Sequence, residues 1–252
     1  MHVAIVIPAR YASSRLPGKP LLKATGKYLI QHVYERACQA KCGADVIVAT
    51  DDERIRDVVA EFGGRVAMTR ADHASGTDRV AEVAAGLSAD VIVNLQGDEP
   101  QIEPAALDRL AGLLGDEAGA DMATLAVPIA DRDAYLSPNV VKVVCDDRGR
   151  ALYFSRSPIP MVRDGEPDFA ARPARFLQHL GLYAYRREFL LKLAAIPAHP
   201  LEAVEKLEQL RVLGIGASIR VGLVAHAHRG VDTPADYEAF VQEYHAAARR
   251  AA

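Results

Sequence analysis

Short apolar runs alternate along the first half of this chain with stretches in which apolar residues recur every three or four positions. Residues 3–7 form an unbroken apolar run that stops at Pro8, the pattern of a strand covered on both faces. Over 29–40, Leu29, Val33 and Ala37 fall at helical spacing with Ile30 and Tyr34, which predicts a helix. A strand at 46–49 follows. Asp51 can cap a helix running to about Phe62, and Gly63-Gly64 ends it. The pattern then gives a strand at 66–68, a helix at 77–87, a strand at 91–95, a helix at 104–114 with proline at its start, and a strand at 122–127. Strands alternating with helices predict βαβ units with right-handed connections and a mostly parallel sheet.

From about residue 130 the pattern changes. Residues 140–145, 151–154 and 179–185 read as antiparallel strands, with a turn at 146–149 and a loop over 163–175. Helices are predicted at 186–193 and 201–213, and a strand at 219–225. A final helix spans 233–246, where Thr233, Pro234 and Asp236 make a start resembling a capping box. Repeats, linkers and low-complexity tracts are absent. The simplest organisation is one α/β domain over 1–252 carrying an antiparallel insertion at about 130–215.

Composition narrows the setting. Half of the 252 residues are hydrophobic, a quarter are charged, and the net charge is −3, so nothing global points to nucleic acid or an anionic membrane. Cys38, Cys42 and Cys145 make no disulfide framework, which implies a reducing compartment. Cys38 and Cys42 fall four apart, which on a helix gives them a shared face, and read as small buried side chains, since no nearby histidine completes a zinc site. No apolar run reaches the roughly 18–20 residues of a membrane helix, and no signal peptide is visible. The expected location is the cytoplasm.

Against this mild acidity, the start of the chain is basic. The stretch IPARYASSRLPGKPLL follows the first strand, and the first acidic residue is Glu35, after Arg10, Arg15, Lys19, Lys23 and Lys27. Ligands bind at the carboxyl ends of strands in open α/β sheets. Arginine suits bidentate contacts to phosphate or carboxylate, lysine supplies a mobile charge, and Gly18 lets backbone N–H groups approach an anion. A solvated basic loop has the same composition; the absence of acids favours an anion site. The phosphate fingerprints GxxxxGK[ST] and GxGxxG are absent, which argues against a P-loop NTPase and a Rossmann dehydrogenase. A second cluster, VIVNLQGDEPQI, delivers Asp98 and Glu99 at another strand end. Facing a basic loop, a carboxylate there suits Mg²⁺ held between protein and phosphates, although in isolation it reads equally as a turn before a helix. In a third cluster, HRGVDTPADYE, Asp232 either favours the dipole of the last helix or serves as a second metal carboxylate. His73 lies near these clusters in RADHASG and carries no assigned chemistry.

Taken together, IPARYASSRLPGKPL, TRADHASGTDR, NLQGDEP, LYFSRSPIP, HLGLYAYRREFL, LEQLRVL and GVDTPADYE resemble the 3-deoxy-manno-octulosonate cytidylyltransferase (CMP-Kdo synthetase) family. The matches occur in order over about residues 3–240. The resemblance implies a nucleotide-diphospho-sugar-transferase-like three-layer α/β/α sandwich. It also implies a cytoplasmic homodimer and a reaction of CTP with Kdo, an eight-carbon acidic sugar, to give CMP-Kdo and pyrophosphate for lipopolysaccharide biosynthesis.

By the same resemblance, Ala9, Arg10 and Lys19 hold the CTP phosphates and Arg15 lies near the reacting groups. Ser75, Gly76, Arg79 and Gln96 meet the cytidine, and Asp98 and Asp232 carry Mg²⁺. Arg156, His179, Tyr183, Glu208 and Gln209 line the sugar pocket. The resemblance gives the dimer but not its surface, for which 140–153 is the candidate. Tyr28 departs from the family, which more often has proline there, and 161–175 is variable. Three rivals remain: a cytidylyltransferase for a modified Kdo or for sialic acid, a glycosyltransferase, and a non-catalytic nucleotide-binding domain. Asp98-Glu99-Pro100 is a poor match to the DxD motif of glycosyltransferases, and the joint presence of Lys19, Asp98 and Asp232 argues against the non-catalytic domain.

Overall fold

A computed structural model of the chain describes every residue except Ser13, Ser14, Ala74, Glu117, Ala118, Arg172, Pro173, His228, Arg229 and Ala252. The chain forms two compact units, Met1–Asp108 with His228–Ala252, and Arg109–Ala227. No described helix is long and apolar enough to cross a membrane.

The first unit is built on four parallel strands, β1 (Val3–Ala9), β2 (Asp45–Thr50), β3 (Val66–Met68) and β4 (Val91–Asn94), in the spatial order β3-β2-β1-β4. Ile5 of β1 stands opposite Val46 on one side and Val93 on the other. The apolar runs are buried on both faces, as unbroken hydrophobicity requires. Helix α1 (Leu29–Ala37) buries Leu29, Ile30, Val33 and Ala37, the positions picked out by their spacing. It ends at Ala37, so the expectation of a shared buried cysteine face fails: Cys38 is exposed and Cys42 half-buried beyond the helix.

Helix α2 (Glu53–Glu61) is capped by Asp52, which accepts from the Arg54 N–H, and not by the expected Asp51. Asp51 instead pairs with the Arg79 guanidinium at 3.1 Å. Helix α3 (Gly76–Ala85) opens with a full capping box between Ser75 and Asp78. Helix α4 (Pro104–Asp116) begins with its proline as predicted, and the boundary between the units falls within it. The final helix runs Pro234–Ala251, with reciprocal bonds between Thr233 and Asp236 at its start.

In the second unit, β5 (Met122–Pro128) is followed by a five-residue helix, α5 (Arg132–Leu136), capped by Asp131. So short a helix leaves no periodic signal in the sequence. Strands β6 (Lys142–Cys145) and β7 (Ala151–Ser155) form an antiparallel hairpin whose turn uses Gly149 at φ +74°. The long strand β8 (Leu177–Arg186) pairs antiparallel with both β5 and β6. Helix α6 (Arg187–Ala194) follows it directly.

The single helix expected at 201–213 is two, α7 (Pro200–Glu205) and α8 (Gln209–Gly214), broken where Lys206 takes a left-handed φ of 55°. There the Glu205 carbonyl, which a continuous helix would bond to the Gln209 N–H, accepts from Arg156 Nε at 2.8 Å. Strand β9 (Ile219–Leu223) lies parallel to β5. The fold is thus α/β with mostly parallel pairing in its sheet and an antiparallel section around β6, β7 and β8.

Candidate active site

The loops that follow β1 and β4 leave the carboxyl ends of adjacent parallel strands, and the second passes very close to the end of β1. A Cβ on Gly97 would lie 2.9 Å from the Pro8 carbonyl oxygen, so only glycine fits without a shift. Gly18, at φ +65°, starts the single turn Lys19–Leu21, and its N–H bonds the Tyr11 carbonyl. Arg54 stacks on the Tyr11 ring with its guanidinium carbon 3.3 Å from the centroid. Leu16 packs with Leu29, Val231 and Phe240, which ties the opening loop to the final helix. The Val231 N–H donates to the Asp98 carbonyl at 2.8 Å. These contacts hold four chain segments around a cavity of about 380 Å³, lined by Arg10, Arg15, Lys19, Gln96, Asp98 and Asp232, with Pro8, Ala9, Gly76 and Gly97 at its walls.

Its charges are organised about Lys19, whose ammonium lies 2.7 Å from Asp98 Oδ2 and 3.3 Å from Asp232 Oδ1. Arg15 reaches the same Asp232 oxygen at 3.1 Å from a largely exposed position. Arg10 donates from Nη2 to the His73 carbonyl at 3.0 Å. Next to Asp98, Glu99 is largely buried and its Oε2 has no hydrogen-bond partner among the described residues. Burial first, then the charges of Asp98 and Asp232, push its carboxyl up to about 7, with Lys19 opposing. Glu99 is the residue here that sequence reasoning left without a role. It was visible in QGDEP but indistinguishable there from a turn residue.

Asp98 and Asp232, brought together from positions far apart in the chain, fit the hard, oxygen-preferring chemistry of Mg²⁺, and the unpartnered Glu99 oxygen adds to a local demand for cations. Among the described residues, no group of three or more His, Cys, Asp or Glu is arranged to hold a metal alone. That suits Mg²⁺, which is commonly bound by one or two carboxylates plus substrate phosphates.

Of the residues expected at the nucleotide, Ala9, Arg10, Lys19, Gly76 and Gln96 line the cavity together with Arg15. Ser75 is engaged as the cap of α3. Arg79 is fully buried on α3, off the cavity lining and held by Asp51 and Thr69, and its Nε and Nη2 have no partner among the described residues.

The five residues expected at the sugar all lie in the second unit. Tyr183 donates its hydroxyl to Gln209 Oε1 at 3.1 Å, and Gln209 Nε2 faces His179 Nδ1 at 3.5 Å. His179 Nε2 lies 2.9 Å from Thr124 Oγ1, which bonds the Leu182 carbonyl at 2.7 Å. This order assigns the ring proton of His179 to Nε2. Burial lowers the His179 pKa to about 3, so the ring is neutral at working pH and offers hydrogen bonds, not charge. Burial also raises the Tyr183 hydroxyl well above its ordinary value.

The cation of the set is Arg156, which bonds the carbonyls of Glu205 and Pro138. Fully buried Lys142, whose ammonium bonds the carbonyls of Ser137, Val140 and Arg156, holds the same backbone, and burial lowers its pKa. Nothing in the sequence marks Lys142, because a buried lysine and a surface one look alike in a strand. Glu208 precedes α8 directly.

The cytidylyltransferase family model matches residues 4–219. A protein of Syntrophotalea carbinolica described as 3-deoxy-manno-octulosonate cytidylyltransferase is 54% identical over 239 residues, 94% of this chain and 96% of that protein. One of the same description from Geobacter sulfurreducens is 50% identical over 96% of this chain and 99% of its own length. Among solved structures, CMP:2-keto-3-deoxy-manno-octonic acid synthetase complexed with CTP superimposes with a TM-score of 0.90 at 48% identity, covering 96% of this chain and 98% of that one. A cytidylyltransferase from Leptospira borgpetersenii, at 20% identity and a TM-score of 0.61, shares the fold.

Proposed function

This chain belongs to the cytidylyltransferase family, and within it to the 3-deoxy-manno-octulosonate cytidylyltransferases, and we propose that the cavity of its first unit holds the triphosphate of CTP with Asp98 and Asp232 as the carboxylates for Mg²⁺. It is a CTP-dependent nucleotidyltransferase that couples CTP with Kdo to give CMP-Kdo and pyrophosphate, for lipopolysaccharide biosynthesis. The observation that carries the site reading is the meeting of Lys19 with Asp98 and Asp232 at the end of a loop whose sequence excludes acids.

In the reaction the anomeric hydroxyl oxygen of Kdo bonds to the α-phosphorus of CTP. The bond from that phosphorus to the bridging oxygen breaks in line, pyrophosphate leaves, and the hydroxyl proton passes to solvent. Mg²⁺ held by Asp98 and Asp232 supplies charge neutralisation at the phosphates and a lowered pKa for the attacking hydroxyl. Arg10 and Lys19 stabilise the negative charge that grows on the leaving pyrophosphate, and Ala9 contributes backbone at the phosphates. Arg15 stands by the reacting groups.

Gly76 and Gln96 serve the cytidine from the cavity lining, with Ser75 capping the helix that carries Gly76 and Arg79 buried on that same helix. Arg156 faces the sugar carboxylate, and His179, Tyr183, Glu208 and Gln209 meet its hydroxyls as hydrogen-bonding groups. The working enzyme is a cytoplasmic homodimer that uses the hairpin at 140–153, where Leu152 is 62% exposed.

The sugar is tested by incubating the protein with CTP, Mg²⁺ and equal amounts of Kdo and sialic acid, then identifying the nucleotide sugar by mass. CMP-Kdo as the dominant product supports the assignment. CMP-sialic acid would move the substrate and keep the chemistry, and neither product would overturn the reading.

A further inference from the structure

Beyond the cavity wall, a second set of contacts converges on one of its cations. The segment between β3 and α3 carries Arg70 and His73. Glu82, on the second turn of α3, accepts from the His73 ring through Nε2 and from the Arg70 backbone N–H at 3.2 Å. The His73 side chain is 5% exposed and that of Glu82 is 34% exposed. The carbonyl of the same His73 accepts the Arg10 Nη2 hydrogen bond at 3.0 Å. Arg10 lines the cavity and Glu82 does not.

We propose that Glu82 is a positioning residue for the nucleotide phosphates: by anchoring His73 it fixes the carbonyl that aims the Arg10 guanidinium into the cavity. The inference rests on the reading of the cavity as the triphosphate site. An arginine side chain has several rotatable bonds, so a guanidinium held at one nitrogen by a fixed carbonyl is partly ordered before the anion arrives. The carbonyl can do this only if its own segment is fixed. Two bonds to Glu82, one from a buried ring and one from the backbone, fix that segment to a helix. The His73 hydrogen bond holds the Glu82 carboxyl below the usual carboxylate range, as a charge-assisted contact does. The role also accounts for His73, which lies beside the cavity without an assigned chemical task.

The test is a double-mutant cycle on KM for CTP, read by pyrophosphate release with Kdo, using Glu82→Ala, Arg10→Ala and the pair. Glu82→Ala alone is expected to raise KM about tenfold, within the coupling seen for groups in one hydrogen-bond network, and to add little in the Arg10→Ala background. Equal factors in both backgrounds, or no change in KM from Glu82→Ala, would overturn the proposal. An Arg10→Ala protein with unchanged KM and kcat would instead overturn the phosphate role of Arg10, and the proposal with it, so the two failures are told apart. Should Glu82→Ala lower the melting temperature too far for assay, Glu82→Gln gives the same cycle. It keeps size and one acceptor oxygen while removing the charge, and an effect that persists with Arg10 absent counts against the proposal.

Discussion

Lys19 Nζ lies 2.7 Å from Asp98 Oδ2, with Asp232 Oδ1 3.3 Å away on the same ammonium. One cation from the acid-free opening loop thus meets two carboxylates supplied by segments 79 and 213 positions further along the chain. A lysine so placed screens two acids from each other, and in the proposed reading it turns to a phosphate when the carboxylates hold a divalent cation. Both partners of this contact are therefore expected to matter to turnover more than to stability.

Asp98→Asn keeps the shape and one acceptor for Lys19 but removes the charge that the proposed metal role requires. Turnover is expected to be nearly abolished, with a circular dichroism spectrum and melting temperature close to those of the parent. Near-normal rates at saturating Mg²⁺ would contradict the metal role of Asp98.

Lys19→Ala removes the charge that the proposed function places at the leaving pyrophosphate. A contact that strengthens in the transition state costs about 10²–10³ in kcat when lost. Steady-state kinetics separate this from ground-state binding: a change confined to KM for CTP would mean that Lys19 holds substrate and transition state equally.

Gly97→Ala places a methyl carbon 2.9 Å from the Pro8 carbonyl oxygen, a backbone atom that cannot swing aside as a flexible side chain would. Forced contacts of this kind cost about 1–3 kcal/mol, and here the displaced segment carries Asp98. A lower melting temperature together with weaker CTP binding by calorimetry is expected. A protein equal to the parent in both would show that Gly97 is not in close contact with the end of β1.

His179 provides the pH dependence. Its pKa falls from 6.5 in the unfolded chain to about 3 in the fold, so between those values the unfolded state binds more protons. Stability from this group is complete above pH 6.5 and declines as the solution is acidified toward pH 3, by at most about 1.4 kcal/mol per pH unit. Denaturant unfolding of His179→Gln between pH 7 and 4 is expected to show a shallower acid loss than the parent. Parallel curves would contradict a buried neutral imidazole.

The sequence carried the first unit well because its strands are unbroken apolar runs and its helices keep clear periodicity, so 3–7, 46–49 and 66–68 fall within observed strands and 91–95 overruns β4 by Leu95 alone. It carried the second unit less well. α5 is too short for a period, and the break at Lys206 depends on Arg156 taking a carbonyl from a segment 49 positions away, a contact that local sequence does not express. Asp51 and Asp52 are interchangeable as helix caps in sequence; buried Arg79 decides between them by claiming Asp51. At the site, the basic loop, Asp98 and Asp232 were legible as charge clusters at strand and helix ends. Glu99 and Lys142 were not, because their character comes from burial.

The most direct test of the account is pyrophosphate release from CTP and Mg²⁺, with and without Kdo. Release that requires Kdo and stops when the metal is chelated is the predicted result. Release independent of the sugar, or none with CTP and Kdo together, would contradict the assignment of this site to cytidylyl transfer.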